Sequence, residues 1–239
     1  MIPYIIINGV SSKNINGLLI QTLPPISKPK IRTSIEEIDG RDGDIVTTLG
    51  YAAYDKAITI GLKGDYNVDD VIKYFNTSGK VTFSNEIDKY YNFAIYNTID
   101  FNKLIRFKTA NITFHVQPFK YSIEEPPITW NNTKQQTIAN ISVRNTGNIY
   151  SRPKLTITGS NTITVYLDNK QIFSIDLSAA GETIIIDAAG MNATDPEGNY
   201  LNRQVTGDYN NFMLDPGTNN LRVTGTMTNV TIDSYSRWI

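Results

Sequence analysis

Short runs of β-branched and aromatic residues recur along the whole chain of 239 residues, and each run ends at glycine, asparagine, aspartate or proline. Val, Ile, Thr, Tyr and Phe fit the pleated, half-buried surface of a strand, whereas the intervening residues favour turns. Asn16-Gly17 and Asp42-Gly43 place residues that tolerate positive φ where tight turns need them. The pattern predicts a mainly β fold with antiparallel strands, in which helix is the exception.

One segment has the period of a helix. Its apolar residues share one helical face and stand at Val68, Val71, Ile72 and Phe75. Asn67 precedes them as an N-cap, and Asp69 and Asp70 suit the positive end of the helix dipole. Gly79 lies where a C-cap is expected. The sequence therefore predicts a single short helix over about residues 67–77.

The strand pattern breaks at Glu124-Glu125-Pro126-Pro127, because proline cannot donate to a ladder and two like charges resist burial. We place the domain boundary here and predict domains over 1–128 and 129–239. Eight short strands in about 100 residues predict a β-sandwich or jelly roll for the second domain. These strands are predicted at Gln136–Arg144, Lys154–Thr158, Thr162–Leu167, Gln171–Leu177, Glu182–Asp187, Asn211–Leu214, Asn220–Thr224 and Thr228–Asp233.

The residue inventory excludes several classes of site. Without cysteine, the chain has no disulfide, no thiolate metal site and no thiol nucleophile. His115 is the only histidine, and it alternates with Phe114 and Val116 as a residue on one face of a strand does. With 22 basic and 23 acidic residues, no global field attracts nucleic acid, and no apolar run approaches the roughly 18 residues of a membrane span.

A cluster of carboxylates at residues 39–44 resembles a calcium loop only at first sight. Asp39, Asp42 and Asp44 fall at positions one, four and six, whereas an EF-hand needs oxygen ligands at one, three and five and a glycine at six. The segment is better interpreted as the tip of a polar hairpin, and Asp195 to Asn199 as a turn. We predict no catalytic residue, no cofactor and no metal site.

Exposed aromatic rings in the second half of the chain are candidates for a ligand or partner surface. Tyr200, Tyr209 and Trp238 are the residues we select. Tyr and Trp are enriched both in strands and at protein interfaces, so a sugar-binding site, a contact surface and an ordinary core all remain open.

Several segments stand in a characteristic order over essentially the whole chain. They are the opening strand and turns up to Asn16–Ile20, the acidic Gly-rich hairpin Asp39 to Gly50, the helix and strand Val68 to Ser84, Asp88 to Tyr91, Phe114 to Tyr121, Asn145 to Ile157, Asp215 to Leu221, and Arg237 to Ile239. This order resembles the distal tail protein family of long-tailed phages that infect Gram-positive bacteria.

The resemblance implies a first domain with a β-sandwich or split-barrel fold that forms a hexameric ring, and a galectin-like second domain that projects outward. It implies the tail tube, the tail-associated hub or lysin protein and receptor-binding proteins as partners, in a virion tail tip assembled in the host cytoplasm. The polar hairpin 39–50 is then an arm that reaches a neighbouring copy. On its position we predict Asp39, Arg41, Asp42, Asp44 and Tyr51 as interface residues.

Three alternatives are kept. The tyrosines and the sandwich pattern of the second half allow a carbohydrate-binding or receptor-binding module. Paired carboxylates allow a glycan hydrolase, although no pair is marked by spacing. A tail-tube subunit would share the first domain but lack so large a second one. Among these, a structural tail-tip protein without enzymatic activity fits the segment order.

Overall fold

The computed structural model describes residues 2–96, 98–132 and 136–239. The fold is mainly β, as predicted. The chain divides into two compact units, unit 1 (Met1–Ile123 with Ile239) and unit 2 (Glu124–Trp238). The division precedes the expected boundary at 128, because Ile128–Asn131 is a strand that pairs with the last long strand of unit 2.

Unit 1 contains nine described strands. They are β1 (Ile5–Ile7), β2 (Val10–Ser11), β3 (Leu18–Thr22), β4 (Ile31–Glu37), β5 (Asp44–Tyr51), β6 (Tyr54–Leu62), β7 (Gly79–Phe83), β8 (Lys89–Ala94) and β9 (Thr109–Ser122). Seven of them form an antiparallel sheet in the order β2-β1-β7-β8-β9-β6-β3. The other two, β4 and β5, form a separate two-stranded sheet. A short 3₁₀ turn at Ser12–Asn14 connects β2 to β3.

Helix α1 (Val68–Phe75) confirms the helix predicted from the sequence. The side chain of Asn67 accepts a hydrogen bond from the backbone N–H of Asp69 at 3.0 Å, as an N-cap does. The helix buries Val71, Tyr74 and Phe75 against the sheet. It ends at Asn76, and Gly79 begins β7 instead of capping the helix.

A second helix, α2 (Phe101–Phe107), was missed by the sequence analysis, which predicted only one. Its N-cap is Asp100, whose Oδ1 accepts from the backbone N–H of Lys103 at 2.9 Å. Phe101, Leu104 and Ile105 do stand at i, i+3 and i+4, but the helix has only seven residues, which is too short a window for a helical period to be recognised.

The core of unit 1 is organised around Phe114 on β9, which is fully buried. Its ring makes edge contacts with Phe93, Phe83 and Phe75 at centroid distances of 5.2, 5.7 and 6.5 Å. His115 follows on the opposite face of the strand, where its Nδ1 lies 2.8 Å from Oδ1 of Asp55. The prediction that His115 is an ordinary strand residue is confirmed.

Unit 2 is built from eight described strands and two short 3₁₀ turns. The strands are β10 (Ile128–Asn131), β11 (Ile138–Asn145), β12 (Lys154–Leu167), β13 (Lys170–Asp187), β14 (Asn192–Thr194), β15 (Val205–Gly207), β16 (Gly217–Asp233) and β17 (Arg237–Trp238). The turns are Asn202–Gln204 and Tyr209–Asn211. The main sheet has the order β10-β16-β12-β13-β14, with β11 paired to β16 and β15 to β13.

Six of the predicted short strands are joined two by two in the structure, which gives the long strands β12, β13 and β16. Each long strand runs through both layers of unit 2. In one layer the first half of β12 pairs with the second halves of β13 and β16, and in the other layer the second half of β12 pairs with the first halves of β13 and β16. Buried residues of both layers belong to one contiguous core, so unit 2 is a sandwich made by folding one sheet over. The strand predicted at Asn211–Leu214 was wrong, because residues 209–211 form a 3₁₀ turn.

The corner between the layers requires glycine. A Cβ atom on Gly159 of β12 would lie 2.4 Å from the carbonyl oxygen of Thr226, and one on Gly225 of β16 would lie 2.8 Å from the carbonyl oxygen of Thr162. Gly225 also has a φ of +135°, which other residues rarely adopt. The strands bend where the register of the β12–β16 ladder shifts, between Thr158 and Gly159 and between Ser160 and Thr164.

We expect Gly159→Ala to destabilise unit 2 by about 1–3 kcal/mol, because the backbone of β16 must move to admit the methyl group. Both tryptophans, Trp130 and Trp238, lie in unit 2, so their fluorescence during chemical unfolding reports on this unit. Thr162→Ala, at an exposed position of the same strand, is the control and should change stability by less than about 0.5 kcal/mol. Equal stability of the two variants would contradict the steric account.

Candidate assembly site: the arm of unit 1 and its root

We define the arm as residues 31–51, which comprise β4, a turn and β5. The two strands are antiparallel, with Ile35 opposite Val46 and Glu37 opposite Asp44. Within the described residues, these strands pair only with each other, and no residue of the arm is buried. A lone two-stranded hairpin is at best marginally stable in water, so the arm is suited to gain its order from a partner.

Large apolar side chains are exposed on the arm. Ile35 and Val46 face each other across the strands with 58% and 59% of their surface exposed, and Leu49 is 56% exposed. Residues directly opposite in an antiparallel pair share one face of the hairpin. An exposed cross-strand apolar pair of this kind is a candidate surface for contact with another molecule.

The arm is also acidic. It carries five carboxylates, Glu36, Glu37, Asp39, Asp42 and Asp44, against two basic residues, Arg32 and Arg41. None of the five carboxylates forms a salt bridge with any part of the chain that the structure describes. Their charge is available for an external partner.

The structure places the predicted interface residues at two different ends of the arm. Asp39, Arg41, Asp42 and Asp44 are all exposed at or beside the turn. Tyr51 is half-buried at the opposite end, where its ring packs edge-on against Phe119 at 5.3 Å. Tyr51 therefore anchors the arm on unit 1.

The predicted arm of 39–50 is shorter than the observed one, because the sequence analysis did not recognise β4. A signal was present: Ile31, Thr33 and Ile35 alternate with polar residues over the length of a strand. The alternation is weak because β4 buries neither face.

We define the strap as residues 23–30, the segment that leads from β3 to the arm. It contains prolines at 24, 25 and 29, which lack the N–H needed for a ladder, and it has no regular structure. Its carbonyl groups instead accept hydrogen bonds from side chains of unit 1. The donors are Asn85 to Pro24 (3.0 Å), Lys56 to Pro25 (2.9 Å) and Tyr54 to Ser27 (3.4 Å).

Lys56, the central donor to the strap, is a buried cation. Its residue is 2% exposed, and its Nζ lies 4.9 Å from the ring centroid of Tyr91 and 5.5 Å from that of Tyr54. Burial lowers the pKa of Lys56 below its ordinary value, the Glu86 carboxylate opposes this effect, and Lys120 adds to it.

Glu86 is the only carboxylate described in this buried group, and both of its oxygens have partners. Lys120 Nζ lies 2.6 Å from Oε1, and the hydroxyl of Tyr91 donates to Oε2 at 2.9 Å. Burial is the largest cause that raises the pKa of Tyr91. Two cations and one carboxylate are thus held together by aromatic rings and backbone carbonyls beneath the strap.

The three aromatic candidates of unit 2 have different environments. Tyr200 is 73% exposed and follows a turn closed by hydrogen bonds between Asp195 and Asn199. Tyr209 turns inward and packs on the buried Phe173 at 5.1 Å. Trp238 is half-buried. Of the three, Tyr200 presents its ring to solvent.

The described residues show neither a group of metal ligands nor a membrane-spanning helix. Among the described residues, no three His, Cys, Asp or Glu side chains are grouped as metal ligands. None of the helices in the described ranges has the length and apolar character needed to cross a membrane.

Comparison with known proteins gives a likeness of fold. No family model and no curated protein matches the sequence. The crystal structure of the Dit (gp 19.1) protein of phage SPP1 is similar with a TM-score of 0.66 and 18% identity, covering 98% of this chain and 99% of that chain. That protein is presented as a paradigm of the hub adsorption apparatus in phages that infect Gram-positive hosts. The resemblance to distal tail proteins is confirmed at the level of the fold.

Chains of the phage p2 baseplate in its activated conformation, with Sr and with Ca, give lower scores. Their TM-scores are 0.47 and 0.46, each at 11% identity and 97% coverage of both chains. These scores are too low to support an argument.

We expect Lys56→Met to loosen the strap, because the Pro25 carbonyl loses a charged donor worth about 1.5–3 kcal/mol. Hydrogen exchange measured by mass spectrometry should rise about tenfold or more in peptides covering the ends of the arm next to the strap, where Ile31 pairs with Tyr51 and Ala52 donates to Lys30. Global stability should change less, since methionine also removes the cost of burying a charge.

Lys73→Met is the matched control, because Lys73 is an exposed lysine on α1 of the same unit. Exchange at these ends of the arm that is the same in both variants would show that Lys56 does not hold the strap.

Proposed function

We propose that this chain is a structural protein of a phage tail tip and that six copies form a ring through their first units. The ring joins the tail tube to a tail-associated hub or lysin protein, and the second units carry or contact receptor-binding proteins. The protein acts without enzymatic activity, as part of a virion tail tip assembled in the host cytoplasm. The observation that carries the proposal is the arm, in a fold shared with the SPP1 Dit protein over 98% of the chain.

The geometry of the arm favours a cyclic assembly. It is an exposed acidic and apolar hairpin whose strands pair with no other described strand. When such a hairpin contacts a different surface on the next copy, the contact is head-to-tail, and repetition gives a ring if the rotation closes. The near balance of 22 basic and 23 acidic residues keeps repulsion between copies low.

One face of the main sheet of unit 1 suits the inside of such a ring. Ile58 and Ile112 point into the core, so the alternating residues Ala57, Thr59 and Asn111 point away from it. Thr59 donates to Asn111 at 3.2 Å, and both are uncharged. The same face also carries Asp55 beside His115, and a channel lined in this way, without Lys or Arg at these positions, has little affinity for nucleic acid phosphates.

A second function, binding of host-wall carbohydrate by unit 2, is favoured by one observation, the exposed ring of Tyr200 beside polar residues of the Asp195–Asn199 turn. Aromatic rings stack on sugars. Full-length protein that pulls down with cell-wall polysaccharide, and loses this binding on Tyr200→Ala, would favour it over a purely structural role.

We expect the purified protein to have a mass of six times 26.8 kDa, or a multiple of that, by light scattering coupled to size exclusion. Replacement of the arm by a short Gly-Ser linker should give monomers, because the interface loses its exposed apolar pair and its charges. The linker fits because Lys30 and Ala52 are already joined by a backbone hydrogen bond of 2.8 Å.

The unfolding transition of unit 2 should be unchanged in the arm-deleted variant, which controls for general misfolding. A wild-type protein that stays monomeric at high concentration, or an arm-deleted protein that still forms rings, would contradict the proposal.

A further inference from the structure

Helix α2 presents a surface that is both basic and apolar. We define the α2 surface as Lys103, Ile105, Arg106 and Phe107, which are all exposed. Ile105 and Phe107 are 41% and 59% exposed, although apolar side chains of this size are normally covered. Residues 101–108 hold three basic residues and no acidic one.

The orientation of α2 follows from Leu104, its one buried residue. At 3.6 residues per turn, Arg106 lies about 200° around the helix from Leu104 and so points away from the core. Ile105 and Phe107 flank it on either side, and the guanidinium carbon of Arg106 lies 5.3 Å from the ring centroid of Phe107. Neither Lys103 nor Arg106 forms a salt bridge with a described residue.

The arm carries the complementary arrangement on one face. The apolar pair Ile35 and Val46 is followed, two residues along each strand, by the acidic pair Glu37 and Asp44. All four side chains share one face because opposite residues in the ladder lie on the same side. Two carboxylates directly opposite each other repel, so this end of the arm is destabilised until cations approach it.

We infer that this face of the arm docks on the α2 surface of the next copy in the ring. The Ile35–Val46 pair covers Phe107, and the carboxylates of Glu37 and Asp44 meet Lys103 and Arg106, which lie within about 100° of Phe107 around the helix. The inference rests on the proposed function, since it names the receiving surface of the head-to-tail contact. A second copy is the occupant because the two complementary surfaces belong to one chain and both are left exposed within its described residues.

The absence of native cysteine makes the contact directly testable by cross-linking. The variant Val46→Cys with Phe107→Cys carries one thiol on each surface. Mild oxidation should give a ladder of covalent multimers up to six chains on a non-reducing gel, and reduction should collapse it. Val46→Cys with Thr206→Cys, whose second thiol lies on exposed β15 in unit 2, is the control and should give no such ladder.

Charge reversal tests the same contact without cysteine. Lys103→Glu with Arg106→Glu should reduce the ring fraction at least tenfold, and so should Glu37→Lys with Asp44→Lys. All four changes together should restore the ring, which a folding defect would not allow. Lys73→Glu with Arg203→Glu changes the net charge equally at exposed positions elsewhere and should leave the ring intact.

The outcomes separate this inference from the proposed function. Rings that persist after reversal of Lys103 and Arg106 would overturn the α2 surface while leaving the ring in place. So would a wild-type ring together with no ladder from the Val46→Cys, Phe107→Cys variant. A wild-type protein that forms no rings would overturn both.

Discussion

The arm depends on one buried cation. Lys56 is almost fully buried. Its ammonium group donates a hydrogen bond to the carbonyl of Pro25 and makes cation–π contacts with the rings of Tyr54 and Tyr91. Burying an ammonium group is costly unless hydrogen bonds and charges compensate, and here Glu86 supplies the charge while Lys120 competes for it. The lowered pKa of Lys56 records that cost. Since the strap has no ladder of its own, this network fixes where the arm leaves the sheet.

In both units the chain has to turn away from a regular β-ladder, and the two units do so by different means. In unit 1, three prolines stop the ladder at the strap, and side chains replace the missing backbone partners. In unit 2, the ladder shifts register at the corner and resumes beyond it, and Gly159 and Gly225 allow the two strands to approach closely while they bend. The first arrangement leaves a hairpin exposed, whereas the second closes a sandwich around a single core.

Much of the local structure could be predicted. The mainly β fold, the helix that begins after Asn67, the strand position of His115 and the resemblance to distal tail proteins follow from short-range patterns or segment order. The strand β4 and the helix α2 were missed for a common physical reason. Each is short and buries little, so the alternation in β4 and the i, i+3, i+4 spacing in α2 are weak signals.

The sequence by itself determined the turns, the alternation of the strands, the cap of α1 and the lack of thiol chemistry, because each depends on residues within a few positions of one another. Only the tertiary structure decided which polar residues are buried and which apolar ones are exposed. Lys56 and Lys120 read as ordinary surface lysines, yet the sheet brings them to Glu86 and the strap from distant parts of the chain. Ile35, Val46 and Phe107 read as core residues, yet no described layer covers them. Periodicity assigns residues to a face, but only the packing of distant segments decides whether that face is covered.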